Sequence, residues 1–198
     1  MKREEGYIKF DLKFNKTDPI IDDKELNAVN EWRTKLFSLG LIGMYPDGIG
    51  FGNISFRKED AFIITGSATG KYSVLDSSHY TMVNAYDLKR NFCECTGPIV
   101  ASSESMSHAA MYDSSDLINA VIHIHNEMLW KKYYDSLPTT SEKASFGTVE
   151  LAEELLQLLK NKNILEKGVI LTKGHREGII TFGENLEEAG NRLLTLLL

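Results

Sequence analysis

Two histidines one residue apart, His123 and His125, are the side chains whose type and spacing most directly indicate chemistry. They lie in residues 121–125, where β-branched residues after the polar stretch 113–116 predict a short strand. Side chains on a strand alternate between faces, so both imidazoles point the same way, with Cα atoms roughly 6–7 Å apart. Such a pair can share one cation at nitrogen–metal distances of about 2.0–2.1 Å. The alternative is two histidines on a half-solvated strand, and the pattern alone does not separate the two.

Two further residues extend this pair toward a catalytic site. His175 lies between glycines in residues 174–178, at the predicted end of a strand, where a site on a turn is more natural than a buried core histidine. An imidazole from this turn would complete a three-histidine site with an open position for substrate or water. Glu104, at a predicted helix start, is either an ordinary first-turn glutamate stabilised by the helix dipole or a catalytic base near the metal. For His108, one turn further on the same helix face, a structural role is favoured over a ligand role.

Hydroxyl and backbone donors gather in three short segments. Ser102 and Ser103 precede the predicted helix, whose free N–H groups and positive dipole favour an anion such as phosphate. The polar loops 52–55 and 65–70 can join them. Taken singly, each loop is more often an ordinary connection than a binding site, so both interpretations stay open.

Composition limits the partners and the compartment. The 198 residues are 42% hydrophobic and 25% charged, which is typical of a globular protein with one domain. The 22 Lys+Arg and 28 Asp+Glu residues give a net charge of −6 without a basic block, which argues against nucleic acid or an anionic membrane as partner. A small anionic substrate needs only a local pocket. We find no signal peptide or membrane span and expect Cys93 and Cys95 to be free thiols in the cytoplasm.

Hydrophobic periodicity and turn signals predict the elements that must position these residues. Strands are predicted at residues 8–14, 53–57, 61–65, 80–86, 91–96, 121–125, 169–172 and 179–182. Helices are predicted at residues 127–134 and after caps at Asp22 or Asp23, Ser102 or Ser103, Thr148, and Asn185 with Glu188 as a capping box. Hairpins framed by helices predict one α/β domain with a largely antiparallel sheet and helical layers.

A series of short motifs runs through most of the chain in a recognisable order. The motifs are Gly40-Leu41, residues 52–57 and 63–67, Ser102-Ser-Glu104 with His108 and Tyr112, residues 121–125, 146–148, 150–152, His175, and residues 182–183 and 186–189. Any one of them is weak, whereas their order and spacing together are specific. The set resembles the class II aldolase/adducin family, whose best-known enzymes cleave or form small sugar phosphates.

The resemblance implies a role for each matching residue. A divalent metal, usually zinc in the aldolases and alternatively manganese or cobalt, would be bound by His123, His125 and His175. Glu104 would be the acid/base. The substrate phosphate would be held, with help from loop N–H groups, by Asn53, Ser67, Ser102 and Ser103.

The resemblance also implies a fold and an assembly. The fold would be a three-layer α/β/α sandwich around a mostly antiparallel central sheet. It would form a single domain over residues 1–198, with residues 1–20 as an N-terminal strand extension. The family commonly assembles as a homotetramer with its sites at subunit interfaces.

Three functions are compatible with these residues. The first is retro-aldol cleavage of a small phosphorylated ketose, in which a metal stabilises the enediolate as a Lewis acid and a carboxylate moves the proton. The second is epimerisation or dehydration of a sugar phosphate on the same metal site. The third is a non-catalytic scaffold like the adducin head domain, against which the presence of all three histidines argues.

Departures from the family pattern affect the substrate rather than the metal. About twenty residues separate His125 from Gly147, fewer than expected of the sugar-phosphate aldolases, where this region supplies a tyrosine to a neighbouring active site. Tyr133 and Tyr134 are the nearest candidates for that tyrosine. In the loop of residues 65–70, Ala68 replaces a glycine that is frequent in the family, and Lys71 follows within reach of an anion.

Overall fold

The computed structural model describes residues 6–198, so the first five residues of the predicted N-terminal extension lie outside the described part. Within it the strands are β1 (Asp11–Lys16), β2 (Gly43–Met44), β3 (Gly50–Phe51), β4 (Asn53–Lys58), β5 (Ala61–Thr65), β6 (Tyr80–Asp87), β7 (Phe92–Gly97), β8 (Ala120–His125), β9 (Val169–Leu171) and β10 (Gly178–Gly183). The helices are α1 (Asp23–Ser38), α2 (Ser105–Ser114), α3 (Glu127–Tyr133), α4 (Val149–Leu158), α5 (Lys162–Lys167) and α6 (Leu186–Thr195).

Eight of these strands form one mixed sheet in the order β1-β7-β6-β5-β4-β8-β10-β9. The edge strand β1 runs parallel to β7, and the other neighbouring pairs are antiparallel. The predicted hairpins β4–β5 and β6–β7 are both confirmed. Because β8 lies between β4 and β10, the strand with the paired histidines occupies the interior of the sheet.

Hydrophobic side chains pack on both faces of this sheet. Ile122 and Ile124 of β8 belong to a cluster that includes residues of α1 and α6, whereas Val121 belongs to a second cluster with residues of α2 and α4. Since neighbouring side chains of a strand alternate between faces, His123 and His125 lie on the same face as Val121. The paired histidines therefore point toward the side of the sheet that carries α2.

Side-chain caps fix the starts of α1 and α4 as the sequence predicts. The Asp22 carboxylate accepts the backbone N–H of Glu25 at 2.8 Å, and the Glu25 carboxylate accepts that of Asp22 at 3.1 Å. Thr148 Oγ1 accepts the backbone N–H of Leu151 at 3.4 Å. Each cap satisfies N–H groups that the first helical turn leaves without a partner in the helix.

The predicted start of α2 is wrong by one or two residues. Instead of Ser102 or Ser103, the capping position is occupied by Glu104, which makes no side-chain cap, and the helix begins at Ser105. The reason is a tight turn before the helix, in which Ser102 Oγ accepts the N–H of Glu104 at 3.3 Å. The carbonyl oxygen of Ser102 accepts the N–H of Ser105 at 3.0 Å.

The capping box predicted at α6 is only half formed. Asn185 Oδ1 accepts the N–H of Glu188 at 2.9 Å, as expected. The Glu188 carboxylate, however, accepts the N–H of Glu184 at 2.7 Å rather than that of Asn185.

The opening strand is shifted relative to its prediction at residues 8–14. Pairing with β7 starts only at Asp11, which lies opposite Phe92. Phe10 is nevertheless buried. The hydrophobic alternation therefore indicated a segment that packs on the core, although Phe10 lies before the strand begins.

Helix α5 was not predicted. Within residues 6–198, each helix is too short or too polar to span a bilayer.

Candidate metal centre and adjoining cavity

Strand β8 carries two of the predicted metal ligands on one face. His123 lies opposite Asn53 of β4 on one side and opposite Ile180 of β10 on the other. The Nε2 atoms of His123 and His125 are 2.9 Å apart. All six residues of β8 are buried, so the alternative of a half-solvated strand is wrong.

The third predicted ligand, His175, comes from the turn between β9 and β10. The centroid of its ring lies 5.0 Å from that of His123 and 4.6 Å from that of His125. Gly174 permits the close approach of this turn, because a Cβ there would lie 2.3 Å from the carbonyl oxygen of Ala144. One nitrogen from each of the three buried rings lies within 4.8 Å of the others. The fold therefore brings together the three histidines that the sequence singles out.

This donor set fits a divalent cation. Around a tetrahedral ion with nitrogens at 2.0–2.1 Å, neighbouring donors are about 3.3 Å apart, and the observed separations of 2.9 Å to at most 4.8 Å span that value. Burial, and then the neighbouring imidazoles of His125 and His175, lower the pKa of His123 well below its ordinary value. A neutral imidazole keeps the lone pair that a metal requires, so the group is suited to bind one.

His125 is held from its far side by two residues that sequence reasoning missed. The Tyr45 hydroxyl lies 3.0 Å from Nδ1 of His125 and donates to Oε2 of Glu177 at 2.7 Å. Because a carboxylate only accepts, the phenol proton is directed to Glu177, and the phenol oxygen accepts the Nδ1–H of His125. In this tautomer, Nε2 of His125 faces His123 without a proton. Hydrogen bonds to the other ring nitrogen fix the tautomer of metal-binding histidines in the same way.

Glu104 lies beside the histidine cluster. Its Oε1 atom is 3.5 Å from Nδ1 of His175, and its Oε2 atom accepts a hydrogen bond of 3.1 Å from Ser107 Oγ. The side chain is only 6% exposed, yet it lines the cavity next to the cluster. A carboxylate in this position can exchange a proton with a group inside the cavity.

A cavity of about 200 Å³ adjoins the cluster and collects the predicted site residues. Its lining includes the three histidines and Glu104, and also the four residues predicted to hold phosphate, which are Asn53, Ser67, Ser102 and Ser103. Its described lining contains neither lysine nor arginine. Lys71, predicted to lie within reach of an anion there, is instead placed with its Nζ 5.0 Å from the centroid of the Tyr72 ring.

The loop of residues 66–70 forms one wall of the cavity. Ala68 adopts the left-handed conformation with φ 59°, which explains why glycine is common at such a position. The backbone N–H of Ser67 is already used, because it donates to the carbonyl oxygen of Val100 at 2.8 Å. The hydroxyl of Ser67 is therefore the donor that this residue can offer to an anion.

Known proteins share this fold. The family profile described as Class II Aldolase and Adducin N-terminal domain matches residues 47–197. An L-fuculose 1-phosphate aldolase superposes with a TM-score of 0.65 at 19% sequence identity, covering 91% of this chain and 86% of that one. The L-fuculose-1-phosphate aldolase of Thermus thermophilus gives a TM-score of 0.64 at 24% identity, covering 86% of this chain and 88% of its own.

A third similar structure has a less specific description. YgbL of Klebsiella pneumoniae, described as a candidate aldolase/epimerase/decarboxylase, gives a TM-score of 0.65 at 18% identity, covering 89% of this chain and 86% of its own. No curated protein sequence matches the chain significantly. At these identities, the structural likeness establishes the shared α/β fold.

Proposed function

The chain belongs to the class II aldolase and adducin family, and we propose that it is a metal-dependent aldehyde-lyase that cleaves a small phosphorylated ketose by a retro-aldol reaction. One observation carries the proposal: three buried imidazoles converge beside Glu104 and open onto a cavity. Burying polar groups costs free energy unless they find partners. A protein with a purely structural role would gain nothing from directing three imidazoles and a carboxylate toward one point.

In this proposal the metal is held by His123, His125 and His175. Three neutral nitrogen donors that leave one side open match the ligand set of catalytic zinc sites. Manganese and cobalt are the alternatives, and such donors bind both more weakly than zinc. The bound cation supplies electrophilic stabilisation of the negative charge that develops when a carbon–carbon bond beside a carbonyl breaks.

Glu104 is the residue that moves the proton. The Ser107 hydroxyl anchors its Oε2 atom, while its Oε1 atom lies on the side of His175. In cleavage, the hydroxyl on the carbon that becomes the aldehyde gives its proton to the group on the aldehyde side. The carbon left beside the carbonyl takes a proton from the protonated Oε1 of Glu104, which solvent then reprotonates. In the direction of synthesis, the same oxygen removes that proton.

The phosphate end of the substrate lies against Asn53, Ser67, Ser102 and Ser103. The nearby start of α2 adds the positive end of a helix dipole, which favours negative charge. Because the described lining of the cavity lacks a cationic side chain, recognition of the anion depends on hydroxyl, amide and backbone N–H donors.

A second candidate function is epimerisation or dehydration of a sugar phosphate on the same site. It is favoured by one observation, which is that no tyrosine is found in the described lining of the cavity to act on the aldehyde side. The hydroxyl of Tyr133 donates to the carbonyl oxygen of Leu196 at 3.1 Å, and that of Tyr134 donates to Glu142 at 2.7 Å. Within one chain, both of these tyrosines are engaged elsewhere.

The proposal extends to the whole chain and its assembly. Residues 1–198 act as one domain with a three-layer α/β/α arrangement around a mostly antiparallel sheet, which the apolar clusters on both faces of the sheet support. The protein works in the cytoplasm as a homotetramer, in which a neighbouring subunit contributes the group that acts on the aldehyde side.

Elemental analysis of the purified protein, paired with a retro-aldol assay on pentulose and hexulose 1-phosphates, tests the proposal. The expected result is about one metal ion per chain and release of dihydroxyacetone phosphate from one of these sugars. Metal without cleavage would favour epimerisation or dehydration. Failure to bind metal, even after incubation with zinc or manganese, would favour the adducin-like scaffold.

A further inference from the structure

Four polar side chains form a continuous hydrogen-bonded series between α2 and β4, which we call the buried relay. The hydroxyl oxygens of Tyr112 and Ser55 are 2.6 Å apart, and Ser55 Oγ is 2.6 Å from Nδ1 of His108. Nε2 of His108 then lies 2.5 Å from Oδ1 of Asn53. The first three residues are at most 3% exposed, whereas Asn53 also lines the cavity. The buried relay therefore connects a phenol in the core to the cavity wall.

The phenol at the buried end sets the direction of these hydrogen bonds. Burial raises the pKa of Tyr112, so its phenol keeps its proton, and Ser55 Oγ is the acceptor that the described residues offer to it. Ser55 consequently directs its own proton to Nδ1 of His108. Burial also lowers the pKa of His108 to about 3, so the neutral ring carries its one proton on Nε2. That proton is donated to Oδ1 of Asn53.

We propose that the buried relay holds the amide of Asn53 with its oxygen turned inward, so that its NH₂ group is what it offers to a phosphate in the cavity. Tyr112, Ser55 and His108 are then positioning residues that act on the substrate through Asn53. The inference rests on the proposed function, because the phosphate end of the substrate is the ligand concerned.

The reverse orientation is unfavourable at both ends of the buried relay. An amide turned over would donate to His108 and present its oxygen to the phosphate, where two acceptors repel each other. The hydrogen bonds would then run toward Tyr112, whose proton would lose its acceptor in the core, and an unsatisfied buried donor is costly. The phenol therefore biases an amide whose two orientations are otherwise similar in shape.

The composition of the cavity makes this orientation matter. Because the described lining has no cationic side chain, the anion is held, apart from the proposed metal and the helix dipole, through neutral donors that have to point the right way. A fixed NH₂ group discriminates between ligands, since it favours phosphate or sulfate and disfavours a cation or a donor-only neutral group.

The test measures binding of inorganic phosphate to the zinc-loaded protein by calorimetry, without using turnover. The double variant Tyr112→Phe/Ser55→Ala removes both hydroxyls of the buried relay and keeps the ring of residue 112, whose centroid is 5.0 Å from that of Phe62. With neither hydroxyl to select the tautomer of His108, both orientations of the Asn53 amide become populated, and we expect phosphate affinity to fall about two-fold while the zinc content stays unchanged. Tyr112→Phe alone should keep the wild-type affinity, because Ser55 would then be the hydroxyl left without an acceptor in the reverse orientation. The matched control is Tyr86→Phe, because Tyr86 packs on the same Phe62 ring at 6.2 Å but lies outside the buried relay.

Two further measurements separate positioning from mere packing. His108→Gln keeps one acceptor and one donor, and it should retain the wild-type phosphate affinity. Nitrogen NMR of His108 should find Nε2 protonated and Nδ1 unprotonated.

Three results would each overturn the inference: wild-type affinity in Tyr112→Phe/Ser55→Ala, a proton on Nδ1 of His108, or no phosphate binding by the wild-type protein. If the wild-type protein still cleaves a sugar phosphate in those cases, the proposed function survives and the buried relay does not. A loss of about two-fold in Tyr112→Phe/Ser55→Ala, in a protein that cleaves none of the sugars, would support the buried relay and count against the proposed function.

Discussion

Nδ1 of His175 lies 3.5 Å from Oε1 of Glu104, although one residue sits on the turn before the last strand and the other caps the second helix. Both side chains are buried. The contact places the candidate acid/base directly beside the candidate metal cluster. Because the two roles belong to different residues, substitutions can test metal binding and proton transfer separately.

Glu104→Gln is expected to keep the metal and lose most of the turnover. The amide retains the size of the side chain and can still accept from Ser107, but it cannot exchange a proton at the former Oε1 atom. The loss should be about 100-fold or more, measured as kcat at unchanged metal content. Glu150→Gln, on the first turn of α4, is the matched control and should leave kcat unchanged. Undiminished turnover in Glu104→Gln would remove this residue from the mechanism.

The double variant His123→Ala/His125→Ala is expected to lose the metal. Both imidazoles are nearly fully buried, so the variant should also unfold at a lower temperature because of the space it leaves. Elemental analysis and circular dichroism measure the two effects separately. His79→Ala removes an imidazole that is outside the cluster and should keep about one metal per chain. Wild-type metal content in the double variant would place the metal elsewhere.

Tyr45→Phe should weaken metal binding without unfolding the protein. The ring still packs against Phe51, whose centroid is 4.4 Å away, while the hydroxyl that orients His125 is lost. Loss of such an outer hydrogen bond typically lowers metal affinity about 10–100-fold, which competition with a chelator measures. Tyr134→Phe, which loses a hydroxyl bonded to Glu142 at the surface, should bind metal as the wild-type protein does. Equal affinities in the two variants would argue against a role for Tyr45.

Folding stability should fall as the pH drops from about 6.5 toward 3, in part because of His108. The unfolded chain protonates this residue near its ordinary pKa of 6.5, whereas burial lowers the pKa in the folded protein to about 3. Between these values the unfolded state binds the extra proton, so stability rises with pH and is lost on acidification. One proton corresponds to about 1.4 kcal/mol per pH unit.

His108→Gln removes this titration and serves as the measurement. Its unfolding free energy in urea should fall less steeply with decreasing pH than that of the wild-type protein, by about one proton at most. Parallel curves for the two proteins would mean that His108 is protonated equally in the folded and unfolded states.

Gly70→Ala should destabilise the fold and deform the cavity. A Cβ at this position would lie 2.1 Å from the carbonyl oxygen of Gly43, which is backbone and cannot move aside. We expect a loss of about 2 kcal/mol or more in unfolding free energy, together with weaker phosphate binding. Gly40→Ala is the control, because its Cβ would meet no atom within 4 Å and only its φ of 68° is strained. Similar phosphate affinities in both variants would show that the loop tolerates the shift.

The sequence was most informative where a few neighbouring residues decide the structure. Strand β8 was predicted because β-branched residues and alternation are local properties, and the caps at Asp22 and Thr148 were predicted for the same reason. The histidines and Glu104 were identified because few residue types can do this chemistry. Their convergence was a hypothesis from the residue types and their predicted turns, strengthened by the family resemblance, since it depends on how distant strands pair.

The features that the sequence did not predict depend mostly on contacts between residues that are distant along the chain, and α5 is the exception. Tyr45 lies in a segment without periodicity, and it reaches the site because the N–H of His125 bonds to the carbonyl oxygen of Leu41. Helix α5, by contrast, has visible signals in its Asn161 cap and in Gly168 at φ 64°. The orientation of the Asn53 amide depends on side chains from two elements and has no signature in the sequence.

The place of β8 in the sheet has a consequence for folding kinetics. The β4–β5 and β6–β7 hairpins close over short loops, whereas β8 has to find β4 across residues 59–119 and then accept β10 on its other edge. Pairings of this kind are slow, because the entropy of a long loop is lost before the contacts form. One pairing brings Asn53 opposite His123, and the other delivers the turn that carries His175. We therefore expect the complete set of three histidines to come together among the last events of folding.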